Sequence, residues 1–288
     1  MSKYAIEFNN INKTFKDFSI DDLNLKVNKG YITGFIGPNG AGKSTCINLI
    51  MDLIKPDNGS INILGYDHIQ EGQMARENIG FVYAENVFYD HLSVETTGKT
   101  IGKFYKNWNQ HAYNHFIEQF KLPANKKVKN LSTGMKAKLF LSVALSHGAE
   151  LIILDEPTSG LDPIVRSEIL DILYDIIQDE AKTILFSSHI TNDLEKIADH
   201  IVLINDGQII IDYNKDDILN TYRLVKGSIE LLDNDLRPLL IGLEEKNTGF
   251  TGLTKEGQTF EEIFGDNIII EPASLEDIMV RTIKNGGL

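Results

Sequence analysis

Cysteine is almost missing from this chain: there is one, Cys46, in 288 residues. A single cysteine excludes an intramolecular disulfide and a cysteine-based zinc site. Cys46 follows a glycine-rich turn, and the expectation is a small buried apolar residue on a helix. Long apolar runs are missing too. None approaches the ~18–20 residues that a bilayer span requires. The opening MSKYAIEFNN has no apolar core of the kind a signal peptide carries. The expectation is a cytoplasmic chain, reaching the inner face of the membrane only through a partner. Positive charge is scarce as well: 28 Lys and Arg face 41 Asp and Glu, a formal net charge of -13. Such a chain is a poor nucleic-acid binder unless a local basic patch rescues it. The densest basic stretch, KLPANKKVK at 121–129, reads as a solvated loop.

What is present is a regular alternation of strands and helices. YAIEFN (4–9), LNLKV (23–27) and YITGFI (31–36) read as strands, and a helix follows from Lys43 to about Ile54. SINILG and IGFVYAE read as strands. Residues 94–120 read as helical, with Phe104, Tyr105, Trp108, Phe116 and Phe120 assigned to the core. After the helix opened by LSTGMK come LIILD (151–155), a helix (164–178), TILFSS (183–188), a helix (191–198) and HIVLIND. Strands apolar on both faces and alternating with helices indicate a mainly parallel, buried sheet. From about Tyr222 the character changes. RLVKGSIELL, RPLLIGLE and NIIIE read as strands of a small α+β unit, closed by the helix SLEDIMVRTIK with Ser274 and Asp277 in capping-box spacing.

GPNGAGKST, residues 37–45, fits G-x-x-x-x-G-K-[ST] and lies between a strand and a helix, the context that confirms a phosphate loop. Gly37, Gly40 and Gly42 let the backbone curl so that successive N–H groups point at phosphate oxygens. Lys43 reaches the β- and γ-phosphates as a point charge. The Ser44 hydroxyl is placed to ligate Mg²⁺, a cation that prefers oxygen ligands and keeps several waters.

LIILDEP then supplies two carboxylates at the end of a buried strand. Asp155 is the candidate second Mg²⁺ ligand, and Glu156 the group that orients or deprotonates the attacking water. Adjacent residues on a strand end point different ways, so the two can divide these roles. His189 ends the next apolar strand, on the side where parallel sheets bind ligands, and is assigned a γ-phosphate contact. A second anion seat is legible in LSTGMK: Ser132, Thr133 and Gly134 open a helix whose free N–H groups and dipole face an anion.

The order GPNGAGKST, LSTGM, LIILDEP, SGLD and His189 resembles the ATPase subunits of ATP-binding cassette (ABC) transporters over roughly residues 4–220. The resemblance implies an α/β P-loop NTPase: a RecA-like parallel sheet, an antiparallel β subdomain and a helical subdomain inserted at about 86–138. The cassette would occupy 1–221 and the small α+β unit 222–288. It implies ATP and Mg²⁺ as ligands, with Asn39, Ala41 and Thr45 joining the phosphate loop and Phe15 matching the aromatic that stacks on adenine. It further implies two cassettes packed head to tail. Each signature segment, here Leu131, Ser132, Thr133, Gly134 and Met135, then meets the ATP of the other chain, and Asp162 of SGLD touches the partner. That second cassette, of the same or a homologous chain, would drive an integral membrane transporter subunit.

Two departures from the family pattern stand out. Thr133 replaces the usual second glycine of the signature, and is expected to crowd the turn, while Met135 replaces a glutamine. The loop after IGFVY carries Ala84 where the family places a glutamine, with Glu85 next to it as a candidate Mg²⁺ contact. The surrounding text resembles an exporter-type bacterial subgroup that includes YtrB-like ATPases and those of the phenol-soluble-modulin exporters. A soluble non-transport cassette ATPase and a nucleotide-switch module with weak catalysis are the rival readings. The first usually has two cassettes per chain, whereas this chain has one phosphate loop.

Overall fold

The computed structural model describes residues 2–83 and 88–284. The first segment holds β1 (Tyr4–Thr14), β2 (Ser19–Asn28), β3 (Ile32–Ile36), α1 (Lys43–Ile50), β4 (Asn58–Ile63), β5 (Tyr66–Asp67), α2 (Gly72–Glu77) and β6 (Ile79–Val82). Next come α3 (Val94–Ile101), α4 (Gln110–Gln119), α5 (Thr133–Leu145), β7 (Leu151–Asp155), α6 (Pro163–Ile177), β8 (Thr183–Ser188), α7 (Thr191–Ile197), β9 (His200–Asn205), β10 (Gln208–Asn214) and α8 (Lys215–Thr221). The chain closes with β11 (Arg223–Gly227), β12 (Ile241–Lys246), β13 (Gly249–Thr254), α9 (Gly257–Phe264), β14 (Ile268–Pro272) and α10 (Leu275–Lys284).

The central sheet runs β10-β9-β3-β8-β7-β6. All its pairings are parallel except β10 on β9, which is antiparallel. Every residue of β3 and β8 is buried, as strands covered on both faces must be. An antiparallel sheet of order β2-β1-β4-β5 covers one face through a core of Phe8, Ile20, Leu25, Phe35, Cys46 and Leu49. On the other face α5, α6 and α7 bury Leu139, Ile169, Leu173 and Leu194. A third sheet, β12-β13-β11-β14, has its own apolar cluster around Val225, Phe250 and Phe260.

Three expectations need correction. The first helix ends at Ile50 rather than Ile54, before Pro56 can act. Asp52 takes a left-handed φ of 61°. The amides of Asp52 and Leu53 donate to the carbonyls of Leu49 and Asn48, which closes the helix by a Schellman turn. The 94–120 region is two helices, not one. Trp108 packs over Gly102 so closely that a Cβ there would lie 2.6 Å from the indole, and Asn109 caps α4 by accepting from the Ala112 amide. Phe104, assigned to the core, is 80% exposed at that break. In the C-terminal region β13 and α9 lie in a stretch the pattern left unassigned. The capping box at 274–277 is formed: the Ser274 hydroxyl accepts from the Asp277 amide and the Asp277 carboxylate from the Ser274 amide.

Candidate functional site

The phosphate loop joins β3 to α1 at the carboxyl end of the central sheet. Gly40 and Gly42 have φ of 84° and 115°, a region that side chains other than glycine rarely enter. At Gly37 a Cβ would lie 2.3 Å from the Ile204 carbonyl oxygen, so the loop can lie this close to β9 only with glycine there. Lys43 is buried and donates from Nζ to the carbonyls of Gly37 (2.6 Å) and Pro38 (3.2 Å). Burial depresses its pKa below the ordinary lysine range, opposed first by Glu156 and then by Asp155. A cationic group held against such a penalty favours negative charge brought close to it.

The two carboxylates are held differently. Parallel register places Asp155 beside Ser187. The Ser187 hydroxyl donates to Asp155 Oδ1 at 2.7 Å, and Asp155 Oδ2 lies 3.5 Å from the Ser44 hydroxyl. Glu156 leaves the strand with a left-handed φ of 49°. Its amide donates to the carbonyl and hydroxyl oxygens of Ser187, at 3.1 and 3.2 Å. This turn aims its carboxylate between two basic groups: Oε1 lies 3.6 Å from Lys43 Nζ and Oε2 lies 2.7 Å from His189 Nδ1. Pro38, Asn39, Gly40, Gly42, Lys43, Ser44, Thr45, Glu156, Ser159 and His189 line one cavity of about 540 Å³. Gly37 and Ala41 support this loop from behind, the latter buried and accepting from the Gly207 amide.

Residues 20–159 match the model of the ABC transporter family. The ABC transporter ATP-binding protein YtrB of Bacillus subtilis is 30% identical over 203 residues, covering 70% of this chain and 69% of that protein. The chain belongs to this family of transporter ATPases. It is an ATP-binding subunit of the ABC type. The bacitracin transport ATP-binding protein BcrA of Bacillus licheniformis is 37% identical over 198 residues, 67% of this chain and 63% of that protein. The solved ATP-binding subunit of an ABC transporter superposes with a TM-score of 0.67 at 27% identity, covering 75% of this chain and 92% of the other.

In this ABC subunit the signature residues stand apart from the phosphate-loop cavity. Ser132 is exposed and caps α5, its hydroxyl accepting from the Met135 amide at 3.3 Å. Leu131 is buried and anchors the turn. Thr133 is exposed and helical, and its φ is not positive, so the backbone at this position does not itself require glycine. Gly134 is needed for packing: a Cβ there would meet Val165 Cγ1 on α6 at 2.4 Å. Asp162 is exposed and caps α6, accepting from the amides of Ile164 and Val165.

Phe15 is not a core residue; it is 43% exposed, 6.3 Å from the ring of Phe18. Phe18, which the motif reading passed over, is the ring that lines the cavity. Ser187 likewise lies outside every sequence motif. Its signal, a small hydroxyl residue at the carboxyl end of an apolar strand, acquires meaning only through the register with Asp155. Ala84 and Glu85 lie outside the described residues.

Mg²⁺ fits the residues present. Ser44 and Asp155 offer hard oxygen donors 3.5 Å apart. No group of three or more His, Cys, Asp or Glu among the described residues could hold a metal. Mg²⁺ commonly takes one or two protein oxygens, with phosphates and water completing its shell.

Proposed function

We propose that this chain hydrolyses ATP to drive a separate membrane subunit, working as a head-to-tail pair of cassettes, and that the system exports a peptide, toxin or antimicrobial compound. The observation that carries the hydrolytic reading is Glu156, held between Lys43 and His189 at the mouth of the phosphate-loop cavity. Glycine-loop amides and Lys43 bind the phosphates. Glu156 orients a water and accepts its proton as the water oxygen attacks the γ-phosphorus and the bond to the β–γ bridging oxygen breaks. His189 supports Glu156 through Nδ1 and offers the other edge of its ring to the γ-phosphate. Ser44 and Asp155 would hold Mg²⁺, which would neutralise charge on the phosphates.

The head-to-tail pairing is supported by the exposed Ser132 and Asp162, which do not line the phosphate-loop cavity. A separate membrane subunit is supported by the likeness to the ABC transporter ATP-binding protein YtrB. The bacitracin transport function named for BcrA supports an antimicrobial cargo. The test is Glu156→Gln with ATP and Mg²⁺. Hydrolysis should fall by about 100-fold or more while ATP stays bound, and a multispanning membrane protein should copurify. Undiminished hydrolysis would remove Glu156 from the chemistry. Copurification of ribosomes would favour the soluble cassette reading.

A further inference from the structure

Three segments carry the residues assigned to hydrolysis and pairing. Glu156 leads into the turn through Thr158, Asp162 caps the start of α6, and His189 lies two residues before α7. They converge on one buried carboxylate, Asp193 of α7, which is 1% exposed. Asp193 Oδ2 accepts from the Thr158 hydroxyl at 2.7 Å. Arg166, four residues past Asp162 on α6, brings its Nε to 3.9 Å from the same oxygen. That Nε is buried and has no hydrogen-bond partner. The Asp193 amide donates to the Ile190 carbonyl, tying the carboxylate to the residue after His189. Thr158 is itself fully buried, two residues beyond Glu156.

We propose that Asp193 is a positioning residue for hydrolysis, locking the turn after Glu156, the first turn of α6 and the helix after His189 into one unit. This rests on the hydrolytic roles proposed above for Glu156 and His189. The physical argument is the strictness of their geometry. The carboxylate and the imidazole are joined at 2.7 Å, yet they sit on different strand ends with no covalent link nearby. A left-handed residue at 156 makes the turn sensitive to what holds its far end. Thr158 is that far end, and Asp193 is its buried partner. The Asp193–Arg166 pair, with a buried carboxylate, a half-buried arginine and an unsatisfied Nε at 3.9 Å, is a weak source of stability. Its value lies in fixing direction: the Thr158 hydroxyl donates to the same carboxylate oxygen that the Arg166 charge faces.

The experiment measures steady-state ATP hydrolysis by the full chain for the wild type, Asp193→Ala, Asp193→Asn, Thr158→Val, Thr158→Ser and Glu156→Gln, with thermal unfolding of each. The expected result is a fall in kcat of about ten- to 100-fold for Asp193→Ala and Thr158→Val. KM for ATP should stay within about two-fold, because the phosphate loop is not touched. Thr158→Ser, which keeps the hydroxyl, should retain activity. The double variant of Thr158→Val with Asp193→Ala should be no worse than either single one, as for residues acting as a unit. An unchanged kcat in Asp193→Ala, with Glu156→Gln inactive, would overturn this inference alone. Hydrolysis by Glu156→Gln at the wild-type rate would instead overturn the site reading on which it rests. If Asp193→Ala does not fold, Asp193→Asn and the Thr158 pair decide: a Thr158→Val variant as active as Thr158→Ser would overturn the proposal.

Discussion

Glu156 and His189 lie 33 residues apart in sequence, yet their side chains meet at 2.7 Å. This contact holds the imidazole of His189 against the carboxylate of Glu156 and fixes the orientation of both. The pairing arises because β7 and β8 are parallel neighbours and both chains leave the sheet at the same end. Removing the imidazole frees Glu156 to fold fully onto Lys43. His189→Ala should therefore lower kcat by about 100-fold, with a much smaller change in KM. A rise in KM with kcat preserved would instead assign His189 to ground-state binding.

The two aromatic rings before β2 should differ in effect. Phe18 lines the phosphate-loop cavity, and its Cζ would touch a Cβ at Gly42. Phe15 stands outside it, exposed beside Lys13. Aromatic contacts of this kind contribute about 0.5–1.5 kcal/mol. Phe18→Ala should raise the Kd for ATP by roughly three- to ten-fold, measured by titration calorimetry. Phe15→Ala should raise it less. The opposite order would make Phe15 the base platform.

Gly134 shows why a signature glycine can be demanded by packing. The α5–α6 contact leaves 2.4 Å between its would-be Cβ and Val165 Cγ1. Overpacking of this size costs about 1–3 kcal/mol. Gly134→Ala should lower the unfolding free energy by that amount, and adding Val165→Ala should recover part of it. Independent, additive losses in the double variant would show that the two residues do not press on one another.

The phosphate loop was legible because its chemistry is contiguous: glycines, a lysine and a hydroxyl must follow one another on a strand–turn–helix. The buried central strands were legible because their apolar runs are unbroken. What pairs across the sheet was not. Ser187 and Asp193 look like ordinary polar residues of a strand end and a helix start, and only tertiary register brings them to Asp155 and Thr158. Phe104 misled for a related reason. A large aromatic in an amphipathic stretch suggests the core, but the helix breaks at Gly102 and the ring is left outside.

His147 supplies a pH dependence with a definite sign. It is buried two residues past the end of α5, stacked on Tyr105 with ring centroids 4.0 Å apart. Burial, aided by the Lys182 charge, pushes its pKa down from 6.5 to about 4. Above pH 6.5 the ring is neutral in both folded and unfolded chains and contributes no pH dependence. Between pH 6.5 and 4 the unfolded chain takes up a proton that the folded chain refuses, so stability falls as the pH falls. A shift of this size, at about 1.4 kcal/mol per unit, sets an upper limit of about 3 kcal/mol. Replacing the ring by an apolar one, His147→Phe, removes the titration while keeping a partner for Tyr105. Urea unfolding at pH 7.5, 6 and 5 should show a shallower loss of stability in the variant than in the wild type. Parallel slopes would mean that the imidazole does not resist protonation and that the acid sensitivity of this chain comes from other groups.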